Sequence, residues 1–168
     1  MSGIKQLKAD KATEVASIEL AQFIPYRIAV LGHDFSRCLA ETYRNENITI
    51  AEWRVLAVIG QEETMAARDV VARTPMDKMA VSRAAASLEQ KGIVLREVNA
   101  NDKRVTVLKL SAEGRLLFDR IAKLANRFEA ELLGCLDAQE AASFNQVVGK
   151  LEAQIAKMKL GGRDEDAL

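Results

Sequence analysis

Two short arrangements in this 168-residue chain put cationic and hydrogen-bonding groups where a polyanion could meet them. Ser82 and Arg83 share one side of a helical segment with Met79, Ala86 and Gln90, opposite the apolar positions Val81, Ala84, Ala85 and Leu88. A guanidinium so placed can donate two hydrogen bonds to O6 and N7 of guanine, a contact worth about 1–3 kcal/mol of discrimination, and the serine hydroxyl can bond a base edge or a phosphate. Asp102, Lys103 and Arg104 occupy turn chemistry between two β-prone runs. An acid two residues before an arginine can hold the guanidinium fork in a fixed pose, and a pre-oriented arginine suits a narrow minor groove. With Arg73, Lys78 and Ser87 these residues form the expected DNA-facing set. Taken singly, each is an ordinary solvated side chain or a weak surface pair.

The elements that must position them are legible in order. Thr49 is placed to cap a helix reaching about Gly60, Glu52 to close a capping box, and Ile48 to staple onto Trp53. After a polar link, a helix of about two turns buries Ala67, Val70 and Val71 and stops at Thr74-Pro75. A third helix starts near Asp77 and ends at Lys91-Gly92, with the glycine as left-handed cap. The segments 93–98 and 104–110 flank the turn at 99–102 and predict a hairpin, the wing. Ser111 caps a long helix with the stripe Leu117, Ile121, Leu124, Phe128 and Leu132, and Phe144, Val147, Val148, Leu151, Ile155 and Met158 mark another. Near the N-terminus, Ile28, Leu31, Phe35 and Cys38 stripe a helix expected over 13–44 that Pro25 kinks or restarts. The terminal GGRDEDAL is expected to fray.

The order defines a mostly α-helical chain with a small β-hairpin wing, an α+β winged helix-turn-helix plus a helical dimerisation region. Residues 1–45 and 112–168 are expected to supply the dimerisation helices and 46–111 the DNA-binding domain, because the apolar stripes outside the small module need a two-fold partner.

Charge sharpens this division. The chain is neutral overall, yet between Ala66 and Leu110 nine basic residues face five acidic ones, whereas from Ser111 onward eight face ten. The excess of cations therefore sits where phosphate contacts are expected. Two distant cysteines and a single histidine argue against a zinc site, and no cofactor is implied. There is no hydrolase, metalloprotease or phosphate-loop signature, which argues against an enzyme. The N-terminus lacks an apolar leader and no run approaches membrane-spanning length, so a cytoplasmic protein without a membrane partner is expected.

The segments ITIAEWRVLAVI, ARDVV, MDKMAVSRAAASLEQKGIV, NANDKRV and LKLSAEG resemble, in order and spacing, the MarR family of bacterial transcriptional regulators, over 49–116. The resemblance implies a homodimer joined by its first and last helices and bound to a pseudo-palindromic double-stranded operator. It implies that Ser82 and Arg83 lie on the recognition helix and that Asp102 and Arg104 form the Asp-x-Arg of the wing. Met79 and Ala80 depart from the small polar residues common at those positions. A ligand-responsive repressor released by a small aromatic or phenolic carboxylate is also implied. Tyr26, His33, Arg37, Trp53 and Arg54 are the residues available for that pocket, although His33 and Arg37 equally suit a solvated helix side. Oxidation of Cys38 is an alternative signal, weighed against its expected burial beside Phe35. The rival to DNA binding is a winged-helix protein-interaction module.

Overall fold

The structure, a computed structural model, describes residues 18–165 except Ala100, Asn101 and Lys103, and only the backbone of the last helix beyond Lys159. In chain order the elements are α1 (Ile24–Thr42), a 3-10 turn (Arg44–Glu46), α2 (Ile50–Ile59), β1 (Met65–Ala66), α3 (Ala67–Arg73) and α4 (Lys78–Gln90). There follow β2 (Val94–Val98), β3 (Thr106–Leu110), α5 (Ala112–Leu133) and α6 (Ala138–Glu165). Two compact units divide the chain, Met1–Arg37 and Cys38–Leu168. No helix among the described residues is long and apolar enough to cross a membrane.

In the first unit, α1 begins at Ile24, with residues 20–22 in a turn, while residues 13–17 of the expected span lie outside the described residues. The start falls at Pro25 as a restart: lacking an N–H and with φ preset, proline is accommodated in a first helical turn. Ile24, Ile28 and Leu31 are exposed, as is every described residue from Ile18 to Asp34.

The second unit is built around one apolar cluster. Val55, Leu56 and Ile59 of α2, Val70 of α3, Val81, Ala84, Ala85 and Leu88 of α4, Val94 and Leu108 of the sheet, and Leu117 and Ile121 of α5 are buried together. The sheet has the order β1-β3-β2, antiparallel throughout, with Val94 opposite Leu110 and Val98 opposite Thr106. The hairpin was legible; β1, only two residues long and paired Met65 to Leu108, was not. So short a strand carries no period, and its pairing arises only because α3 starts beside β3.

The punctuation is realised atom by atom. The Thr49 hydroxyl accepts from the Glu52 N–H and the Glu52 carboxylate accepts from the Thr49 N–H at 2.8 Å, closing the capping box. At the end of α4, Gly92 has φ +72°, its N–H donates to the Glu89 carbonyl, and Ile93 N–H donates to the Leu88 carbonyl, a Schellman closure. Ser111 caps α5 through the Gly114 N–H and donates its hydroxyl to the Gly92 carbonyl at 2.7 Å, so the helix start is sewn to the end of α4. Gly114 is required there, since a Cβ would overlap the Ile93 carbonyl oxygen. Of the end expected to fray, α6 takes in residues 161–165, continuing through Gly161 and Gly162 to Glu165, and residues 166–168 lie outside the described residues. Once a helix is nucleated each added residue gains a backbone bond, which offsets the roughly 1 kcal/mol cost of each glycine.

Candidate nucleic-acid interface

Helix α4 is oriented from both ends and from below. Asp77 accepts the Ala80 N–H at 2.7 Å, fixing the first turn, and Val81, Ala84, Ala85 and Leu88 anchor one side in the core. Lys78, Met79, Ser82 and Arg83 are then exposed together on the other. Met79 is 66% exposed, an apolar side chain among polar neighbours.

The lower half of α4 is tethered by a buried carboxylate that the sequence marked only as a cap. Glu52, 3% exposed, accepts from the Ser87 hydroxyl at 2.6 Å and from the Lys91 ammonium at 2.7 Å in addition to Thr49. Burial pushes its pKa up, but hydrogen bonds from Lys91, Ser87 and Thr49 outweigh that and hold it at about 2. Lys91 also donates to the Asn47 carbonyl at 2.7 Å. Ser87, expected in the DNA-facing set, is thus corrected to a half-buried group turned toward Glu52. The helical wheel placed it at the margin of the exposed side, and the carboxylate below decided which way it turned.

The wing is held by its own backbone. Asn99 N–H donates to the Val105 carbonyl at 2.8 Å, and Asp102 Oδ1 accepts the Arg104 N–H at 2.9 Å. Asp102 therefore orders the turn through the Arg104 backbone rather than by gripping its guanidinium, a correction to the expected fork. A two-residue separation brings the carboxylate onto the backbone N–H directly, the geometry of an Asx turn. Among the described residues the Arg104 side chain has no ion pair; Lys103 lies outside the described residues. Arg73 is paired with Glu62 at 3.0 Å on the surface, a bond too weak to keep it from a phosphate.

Between α3, α4 and the wing lies a cleft of about 330 Å³ lined by Ala67, Arg68, Val71, Lys78, Val81, Ser82, Ala85, Arg96 and Leu108. Arg68 of α3 and Arg96 of β2 escaped the sequence-based set of contacts, where they counted only toward the local excess of basic residues; the fold brings them beside Lys78. Arg96 is paired with Glu89 of α4 at 3.1 Å.

The expected effector residues fall in two groups. Tyr26, His33 and Arg37 are exposed on α1 in the first unit. Trp53 and Arg54 are half-buried on α2 in the second. Trp53 lies between Tyr43 and Phe118, with ring centroids 5.9 and 6.1 Å away, and the Arg115 guanidinium stands 5.2 Å from the Phe118 ring. Tyr43 and Phe118 were not singled out, because neither has a motif around it. Burial raises the Tyr43 hydroxyl above its ordinary pKa against the opposing charge of Arg54. Cys38, expected buried, is exposed. No residue of α1 is buried, so its apolar stripe supplies no enclosing environment for the thiol.

A three-helix core, a capped helix with polar groups turned outward and an adjacent hairpin tip define a winged helix-turn-helix protein. Residues 39–105 match the model of the MarR family. Among curated relatives, the transcriptional repressor MdtR of Bacillus subtilis is 28% identical over 119 residues, 71% of this chain and 76% of the relative. Among solved structures, a Cys-to-Ser mutant of MarR from E. coli complexed with operator DNA is 27% identical, covers 80% of this chain and 99% of that one, and has a TM-score of 0.71. A structure of Bordetella bronchiseptica BpsR, described as regulated in DNA binding by 6-hydroxynicotinic acid, shares the fold at 17% identity and TM-score 0.72, covering 82% of this chain and 98% of that one. Over residues 39–105 the chain carries the DNA-binding module of the MarR family, that of a helix-turn-helix transcriptional regulator rather than an enzyme.

Proposed function

We infer that the protein is a sequence-specific repressor that binds double-stranded DNA as a homodimer, each α4 entering a major groove and each wing reaching the flanking minor groove. The observation carrying this is the joint exposure of Lys78, Met79, Ser82 and Arg83 on a helix anchored at its cap, its buried side and its tether. The repressor MdtR supports the direction of regulation. Exposed Ile24, Ile28 and Leu31 on α1, and Phe144, Val147, Leu151 and Ile155 on α6, support pairing of two copies through these helices. The two reading helices then fall about one DNA turn apart on a pseudo-palindrome.

Arg83 reads a guanine, whereas Arg73, Lys78 and Arg104 engage phosphates or the minor groove. Arg83→Ala is expected to lower affinity for the selected site by one to two orders of magnitude and for random duplex far less. Equal losses on both duplexes, measured by fluorescence anisotropy, would remove Arg83 from base reading. Binding of wild type should weaken steeply with salt as phosphates recapture counterions, and a flat response would favour a protein-interaction role instead.

For the effector, the cleft beside α4 offers apolar walls from Val71, Val81, Ala85 and Leu108 and cations from Arg68, Lys78 and Arg96, a chemistry suited to a small aromatic carboxylate. Lys78 and Ser82 line the cleft and belong to the DNA-facing set, so an occupant competes with DNA for them. Hydroxybenzoic acids titrated into the DNA-bound protein should release it; unchanged occupancy across the series would refute this site.

A further inference from the structure

Met79 is the one large apolar side chain exposed on α4 among the described residues. It sits in the first turn, immediately behind the Asp77 cap, three residues before Ser82 and four before Arg83, so all three share a face. In helix-turn-helix docking it is this N-terminal part that meets base edges. The major groove offers hydrogen-bond donors, acceptors and a single apolar feature, the 5-methyl group of thymine. A thioether can satisfy none of the strong donors and acceptors, but its flexible, polarisable chain packs well against a methyl.

Resting on the interface assigned above, we propose that Met79 is a specificity-determining residue that reads a thymine methyl. The base lies within about two base pairs of the guanine taken by Arg83. The spacing follows from geometry: four residues advance a helix by about 6 Å, and stacked bases are about 3.4 Å apart. The half-site then couples a hydrogen-bonded guanine to a neighbouring thymine recognised only by contact.

The test uses the full-length protein and sites selected from a randomised duplex pool. The guanine is identified as the base whose preference disappears with Arg83→Ala. The nearby thymine is then replaced by deoxyuridine, which lacks only the methyl. Wild type should bind the deoxyuridine duplex about fourfold more weakly, the effect of losing one buried methyl, and Met79→Ala should bind both duplexes equally. Alanine at this exposed helical position favours the helix, so folding is retained and is checked by circular dichroism. Equal wild-type binding to both duplexes would overturn the proposal, as would a fourfold preference that persists in Met79→Ala. If Arg83→Ala leaves every base preference intact, the interface itself falls. If the guanine preference is lost but deoxyuridine has no effect, only the role of Met79 falls.

Discussion

Replacing Glu52 by Gln tests how the reading helix is held. The carboxylate is almost fully buried and joins Thr49 at the start of α2 to Ser87 and Lys91 at the end of α4. Its pKa of about 2, against 4.5 for an unperturbed glutamate, is a difference of about 2.5 units, which corresponds to roughly 3 kcal/mol of stabilisation at neutral pH. Glutamine keeps the volume and one acceptor oxygen but leaves the Lys91 ammonium without its anion. Because the folded pKa is depressed, the contribution is complete above about pH 4.5 and is lost as pH falls toward 2. By pH 3 less than half of it remains. Urea unfolding followed by circular dichroism should therefore show Glu52→Gln less stable by about 3 kcal/mol between pH 6 and 8, the gap narrowing at pH 4 and further at pH 3.5. DNA affinity of the variant should drop while its base preferences persist, since the tether orients α4 without touching bases. A stability gap that is absent at pH 7, or the same at every pH, would refute the account of Glu52 as a buried, hydrogen-bonded anion.

Three further outcomes follow from the packing and the wing. Leu88→Ala removes a fully buried side chain from the centre of the cluster and should cost about 2–5 kcal/mol in urea unfolding; a loss below 1 kcal/mol would mean the core is assembled otherwise. Gly114→Ala forces a Cβ into the Ile93 carbonyl oxygen, so alanine, ordinarily better in a helix, should lower the melting temperature; a rise would contradict the close approach of α5 to the end of α4. Arg104→Ala should weaken binding to all duplexes with little change in major-groove preference, and loss of one specific base preference in a selection experiment would contradict its assignment to the wing contact.

How much was legible in the sequence depends on the range of the interaction. Caps, stops and turns are settled by residues within a few positions of one another, so Thr49 with Glu52, Asp77, Gly92, Ser111 and the 99–102 turn announced α2, α4, α5 and the hairpin before any fold was known. Periodicity likewise separated the buried Val81, Ala84, Ala85 and Leu88 from the exposed Met79, Ser82 and Arg83. The start of α1 was legible in Pro25 rather than in the apolar stripe, which says only where a helix could run. The expected burial of Cys38 failed because an apolar stripe implies a partner surface but does not create one within the chain.

What the linear chain determined by itself was therefore the identity, order and facing of its helices, and the side chains they present. The tertiary structure alone decided that Glu52 of a capping box would become the buried link to Ser87 and Lys91, that Arg68, Lys78 and Arg96 would surround one cleft, and that Met65 would find Leu108 across a two-residue strand. Those partners are separated by tens of residues, and their attraction has no local signature; it exists only after burial of the apolar cluster has brought the segments together and removed the water that would otherwise satisfy them.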